Sequence, residues 1–299
     1  LPRGYHFGTV APLAALVIRE KNRQEGPGRT NMERRLESNS DHGAVAALLD
    51  IGNTSVKLAL AEDSRILASA SLPSRGARAA GLAESVRTLA GEAGLGPGAV
   101  SAMVVSSVVP GLDPEAREAA ALLGAGCRFV PADLAPDIEN RYARPQEVGA
   151  DRLVGAFAAR ELFPDAERIV VVDFGTATTF DCVVGRAYLG GLICPGVLSS
   201  TRSLREETAK LPEATLEIDP SGLRLGRSTL DSLNQGLVHG FAAMVEGLVR
   251  RMEPVIGGEA LVVATGGFSR RIRAVCPAIH HVRPELLMDG LRLLWAAGR

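Results

Sequence analysis

Two acidic turns in this 299-residue chain share one frame. An apolar run over residues 46–49 ends in Asp50-Ile51-Gly52-Asn53-Thr54, and a second over 169–172 ends in Asp173-Phe174-Gly175-Thr176-Ala177-Thr178-Thr179. Each reads as a strand, a tight turn and a returning strand. Such a unit is suited to handling phosphates. The strand delivers a carboxylate for a cation or its water shell, glycine removes the side chain where a phosphate must come close, and hydroxyl and amide groups offer donors. Lys57, on the strand after the first turn, adds a point charge for the same anion. Either copy alone would pass for an ordinary hairpin turn closed by Asn-Thr. Two in matching frames, with Thr176, Thr178 and Thr179 crowding the second, point to a duplicated site for nucleotide phosphates.

A third carboxylate stands apart from these turns. In Gly149-Ala150-Asp151-Arg152 the acid falls in the first turn of an expected helix. Two roles fit the residue types: a capping carboxylate with a salt-bridge neighbour, or a base accepting a hydroxyl proton, with Arg152 as a fixed cation for an anionic substrate group.

The elements that must position these groups alternate as in α/β domains. Strands are expected over 46–50, 56–61 and 66–71, then a helix over 77–93. A buried strand over 102–106 runs into Ser106-Ser107-Val108-Val109-Pro110, a strand terminus of the kind where ligands bind. Asp113 reads as the N-cap of a helix to residue 123, with Pro114 at its first position. A proline-bearing loop over 131–145 contains Asn140-Arg141-Tyr142, and the helix carrying Asp151 runs to 162. The second half repeats the scheme, with strands over 169–173, 178–184 and 188–192 and helices over 197–207 and 230–252. The long helix keeps Leu233, Leu237, Phe241, Met244, Leu248 and Met252 on one face, a stripe for a core or a dimer interface. A strand over 261–264 leads into Thr265-Gly266-Gly267, where a flat ring or a phosphate could approach the backbone. A helix over 286–295 closes the chain.

Composition narrows the classes. Hydrophobic residues make up 46%, enough for two domains with real cores. Lys plus Arg number 33 and Asp plus Glu 34, so the chain presents no global field for nucleic acid or an anionic membrane. Cys127, Cys182, Cys194 and Cys276 lack metal-ligand spacing and read as small core residues in a reducing cytoplasm. His280 and His281 read as packing or surface residues. Residues 1–44 differ in character. The apolar stretch over 10–18 is too short to span a bilayer, which needs about 20 residues, and the signal-peptide features are weak. They are expected to be an extension, disordered or artefactual, with Met32 as an internal start.

From residue 46 to the C-terminus the sequence resembles the type III pantothenate kinases of the actin-like, acetate and sugar kinase superfamily. The motifs are Asp50-Ile51-Gly52-Asn53-Thr54, Ser106-Ser107-Val108-Val109-Pro110, Tyr142-x-x-Pro145 with Gly149-Ala150-Asp151-Arg152, Asp173-Phe174-Gly175-Thr176-Ala177, Gly190-Gly191 with Pro195-Gly196, Gly226-x-x-Thr229 and Thr265-Gly266-Gly267. The resemblance implies an α/β fold of two duplicated ribonuclease H-like (actin-like ATPase) domains, with mixed sheets flanked by helices, over 45–165 and 166–299. It implies transfer of the ATP γ-phosphoryl group to the primary hydroxyl of pantothenate, a homodimer, Mg²⁺ with the nucleotide, and K⁺ or NH₄⁺. By the same match Asp50, Ile51, Gly52, Asn53, Thr54, Ser55, Val56 and Lys57 form the ATP phosphate loop, joined by Thr176. Asp173 ligates the monovalent cation. Tyr142, Gly149, Ala150, Asp151, Arg152 and Thr229 line the pantothenate site, and Asp151 is the proton acceptor. The alternatives are a nucleotide-binding regulatory or accessory factor on the same fold, or a kinase of another small molecule.

Overall fold

The structure is a computed structural model describing residues 44–62, 65–207, 211–219 and 222–298. The extension expected over 1–44 lies, but for its last residue, outside the described residues. Strand β1 (Val45–Ile51) is buried along its whole length, so its sequence is an unbroken apolar run that admits one acid, Asp50, near its end. Strands β2 (Ser55–Ala61) and β3 (Ile66–Pro73) return antiparallel beside it. On its other side β4 (Val100–Ser107) and β5 (Gly126–Val130) run parallel, giving the order β3-β2-β1-β4-β5. After the two-residue strand β6 (Glu139–Asn140), the pattern recurs with β7 (Arg168–Phe174), β8 (Ala177–Val184), β9 (Ala187–Pro195), β10 (Leu261–Thr265) and β11 (His281–Val282), in the order β11-β10-β7-β8-β9-β6. Both sheets are an antiparallel meander extended by parallel strands. The duplication read from the two turns therefore extends to whole sheets. Strand ends carrying Asp50 and Asp173 occupy equivalent places in them.

Helices cover the sheets. Helix α1 (Ala79–Glu92) turns Leu82, Val86 and Leu89 inward at helical spacing, beside α2 (Asp113–Leu123). Helix α3 (Ala150–Leu162) is buried without interruption from Leu153 to Arg160, because it packs against β4 of one sheet and β7 and β8 of the other. The second half adds α4 (Val197–Glu206), α5 (Thr229–Met252), the short α6 (Ser269–Arg273) and α7 (Leu286–Ala297). Helix α7 returns to the first sheet: Met288, Leu291 and Trp295 join Leu48 and Val104 in one core cluster, and the helix also packs along α3. The boundary expected between 165 and 166 is thus crossed twice, by α7 in one direction and by β6 on β9 in the other. Among the described residues no helix is long and apolar enough to cross a membrane.

Some local expectations need correction. Asp113 is not the cap of α2. A 3-10 turn over Pro110–Leu112 precedes the helix, Asp113 is its first residue, and the carboxylate instead accepts the Ser107 hydroxyl at 2.6 Å, tying the helix to the end of β4. Pro114 is tolerated second because the first turn has no intrahelical acceptor for an N–H. On α5 the deepest stripe is Val238, Phe241, Ala242, Val245, Val249 and Met252, with Leu237, Met244 and Leu248 half-buried beside it. His280 accepts the Val262 N–H through Nδ1 at 2.9 Å, and His281 lies against Phe163 with ring centroids 4.8 Å apart; both are exposed residues with local structural contacts. All four cysteines are free.

Candidate active site

The first turn is shaped by its backbone. The Gly52 N–H donates to the Ser55 carbonyl at 3.1 Å, and the Ser74 hydroxyl donates to the Gly52 carbonyl at 2.5 Å. Asp50 stands opposite Lys57 on β2 and Ser106 on β4, so the three side chains share one face of the sheet. Lys57 Nζ lies 3.5 Å from Asp50 Oδ2.

The second turn repeats this arrangement. Asp173 stands between Thr179 on β8 and Thr265 on β10, and Gly175 N–H donates to the Ala177 carbonyl at 3.1 Å. Asp173 Oδ1 is buried without a hydrogen-bond partner. Gly266 holds φ +83°, and a Cβ there would meet Asp173 Oδ1 at 2.5 Å and the Phe174 carbonyl at 2.6 Å, so only glycine fits. The two turns touch: Thr54 Oγ1 and Thr176 Oγ1 are 3.0 Å apart.

The N-terminus of α3 closes the third side. Asp151 Oδ1 accepts the Arg152 N–H at 2.8 Å, and a Cβ on Gly149 would collide with that same oxygen. The glycine is what lets the carboxylate stand there. Arg152 is committed elsewhere: its Nε donates to Asp181 Oδ1 at 2.8 Å, and Nη2 lies 2.7 Å from the same oxygen, off the line for donation.

These pieces enclose a cavity of about 280 Å³. Asp50, Gly52, Asn53, Thr54, Ser55, Lys57, Asp151, Arg152, Asp173 and Thr176 all line it. Ile51 and Val56 bury their side chains in the first core, leaving only main chain toward the turn. Gly149 and Ala150 sit behind Asp151 at the helix entry and do not line the cavity. Tyr142 lies outside the lining, its ring 6.4 Å from that of Tyr188 and in contact range of Gly190. Thr229, exposed in the first turn of α5, does not line it either. Thr179, expected at the second turn, lines it, and so do Asp181, Leu286 and Leu287, which sequence reasoning missed. The signal for Asp181 was the period of two along β8: Ala177, Thr179 and Asp181 face the cavity, while Thr178, Phe180 and Cys182 turn away.

The geometry is a polar cleft between two glycine turns with a carboxylate at its side, and comparison with known proteins decides the family. A family model described as type III pantothenate kinase matches residues 47–251. A type III pantothenate kinase of Nitratidesulfovibrio vulgaris strain Miyazaki F is 52% identical over 250 residues, 83% of this chain and 95% of the relative. That of Oleidesulfovibrio alaskensis is 50% identical over 261 residues, 84% and 97% of the two chains. The chain belongs to the type III pantothenate kinase family. Two solved structures are similar in fold. One is the activator of the 2-hydroxyisocaproyl-CoA dehydratase from Clostridium difficile with bound ADPNP (17% identity, TM-score 0.52, 84% of this chain and 94% of that one). The other is component A of the (R)-2-hydroxyglutaryl-CoA dehydratase of Acidaminococcus fermentans (14% identity, TM-score 0.51, 85% and 100%). The likeness is one of fold: two duplicated mixed sheets flanked by helices, the architecture expected of the actin-like fold.

In this pantothenate kinase family member the site carries strong electrostatic stress. Burial pushes the Asp50 carboxyl up to about 6, Lys57 pulling against it and Asp151 adding to it. Burial likewise lifts Asp173 to about 6, again opposed by Lys57 and reinforced by Asp151, Asp50 and Asp181. Asp151 is raised by burial, partly offset by the Arg152 N–H and guanidinium. Burial pulls Lys57 down, but Asp50, Asp173 and Glu285 outweigh it and hold its ammonium above its ordinary range.

Asp173 binds its proton more tightly in the folded chain than at its ordinary value of 3.8, so stability falls as pH climbs from about 4 to about 6. The penalty, on the order of 3 kcal/mol, persists at higher pH. Without ligands, Asp173→Asn should therefore melt well above wild type at pH 8 and by roughly half that margin at pH 5. A shift of equal size at both values in thermal denaturation would contradict this.

Proposed function

We propose that this cavity transfers the γ-phosphoryl group of ATP to the primary hydroxyl of pantothenate, giving 4′-phosphopantothenate for coenzyme A synthesis, with Asp151 as proton acceptor. The observation that carries the reading is the Asp151 carboxylate, admitted by Gly149 into the same cavity as both acidic turns. Phosphoryl transfer asks a protein mainly for alignment and charge stabilisation. The backbone of the first turn and the hydroxyls of Thr54 and Thr176 supply donors for phosphate oxygens, exchanging their mutual hydrogen bond for the ligand. Lys57 adds the cationic charge. An alcohol is a poor nucleophile, and Asp151 removes its proton as the bond to phosphorus forms. The upward shift of its pKa brings it nearer the operating pH, where a general base works best.

Arg152 is the partner for the pantothenate carboxylate, supported by its place in the lining and by an Nη2 with donor capacity left over. Tyr142, Gly149, Ala150 and Thr229 are assigned to the pantothenate site on the family match. Asp173 fits a monovalent cation, K⁺ or NH₄⁺, because its buried Oδ1 lacks a donor and its charge lacks full compensation. Mg²⁺ fits Asp50 together with the nucleotide, since this ion keeps its waters and is held by one or two carboxylates plus phosphates. Bound there, the cations would supply charge neutralisation for the triphosphate. A homodimer is supported by the half-buried Leu237, Met244 and Leu248 on α5 and the exposed Leu192 and Ile193 on β9. The four free cysteines suit the cytoplasm.

Asp151→Asn should lower kcat by about 10² to 10⁴ while ATP binding changes little. Near-normal turnover, read by mass detection of phosphopantothenate, would overturn the base assignment. Replacing K⁺ and NH₄⁺ by Na⁺ should collapse wild-type activity, and indifference to the exchange would remove Asp173 as a cation ligand.

A further inference from the structure

The strand β8 carries a second acid into the cleft that belongs to neither turn. Asp181 is 2% exposed and lies on the same face of β8 as Thr179, so it lines the cavity beside it. Its two oxygens take three donors. Oδ1 accepts Arg152 Nε at 2.8 Å and the Tyr188 hydroxyl at 2.9 Å, and Oδ2 accepts the Thr179 hydroxyl at 3.1 Å. Tyr188 is itself fully buried, and the Arg152 guanidinium lies 5.9 Å from its ring centroid. The guanidinium is therefore held between a carboxylate whose own position is fixed from two further sides and the face of an aromatic ring.

A buried ion pair of this kind contributes little net stability, because desolvation of both ions offsets their attraction. What it fixes is orientation. Arg152 follows Asp151 directly in the chain, and without a competing anion its guanidinium would be drawn to the three carboxylates Asp50, Asp151 and Asp173 that share the cavity. There it would neutralise the base and occupy the space needed by the substrate.

We propose that Asp181 is a positioning residue of the kinase reaction: through Arg152 Nε it holds the guanidinium away from Asp151 and turned to receive the carboxylate of pantothenate. The inference rests on the assignment of Arg152 to that carboxylate.

The test is steady-state kinetics of the full chain with ATP and pantothenate varied separately. Arg152→Met should raise KM for pantothenate at least tenfold with KM for ATP within twofold. Asp181→Asn should produce a comparable rise in KM for pantothenate alone, and adding it to Arg152→Met should raise KM no further. If Arg152→Met leaves KM for pantothenate unchanged, the carboxylate assignment falls and the inference falls with it. If Arg152→Met raises KM but Asp181→Asn does not, or if Asp181→Asn raises both KM values alike, or if the two effects multiply, the positioning role is overturned while the reading of Arg152 stands. Should Asp181→Asn fail to fold, Tyr188→Phe removes one donor to Asp181 and keeps the charge. It should raise KM for pantothenate two- to fivefold, not that for ATP, and an unchanged KM would overturn the role.

Discussion

The site depends on one shortage: three carboxylates, Asp50 buried and Asp151 and Asp173 half-buried, face a cavity in which a single lysine is their shared counter-charge. Arg152 lines the same space, but its charge is matched by Asp181. Lys57 is left to Asp50, 3.5 Å away, and to Asp173, which also lifts its pKa. The folded chain therefore holds Asp50 and Asp173 in a state they would not choose, each pushed up to about 6. The proposed nucleotide and its cations would complement such a cleft, since cations would relieve the carboxylates and the turns would supply donors to the phosphates.

The fold creates this shortage by repetition. Each sheet brings an aspartate to the end of its central strand, and each follows it with a glycine turn, so juxtaposing the sheets brings two acids and two donor loops together. Helix α3 is the third component. It is the layer between the sheets, and its N-terminus carries Asp151 to the cleft while α7 braces it from behind. Gly149 and Gly266 each keep clear the space in which a carboxylate oxygen stands. These glycines serve different acids on different elements, and each is replaced only at the cost of the acid it admits.

Most of the elements were legible in the sequence because they carry strong local signals: unbroken apolar runs for β1 and β7, helical spacing in α1, and glycine turns after Asp50 and Asp173. The cavity-lining position of the two acidic turns and of Asp151 and Arg152 was legible for the same reason, as motif residues fall where the strand and helix ends place them. Asp181 was not, because nothing in Phe180-Asp181-Cys182 marks an ion pair whose partner is 29 residues away. The docking of α7 on the first sheet was hidden too: its apolar face says that it is buried, not against which sheet. The short edge strands β5, β6 and β11 carry too few residues for a pattern. Tyr142 and Thr229 match the family motif yet stand outside the cavity, a separation set by the placement of β6 and α5 that no local signal encodes.

The central claim is that ligand charge relieves protonated carboxylates buried in one cleft. It is tested most directly by calorimetric titration of MgATP with K⁺, without pantothenate, in two buffers of different ionisation enthalpy. At pH 6 the wild-type protein should release protons on binding, the release should fade at pH 8, and Asp173→Asn should release fewer at pH 6. No release at pH 6, or equal release from wild type and Asp173→Asn, would contradict the account.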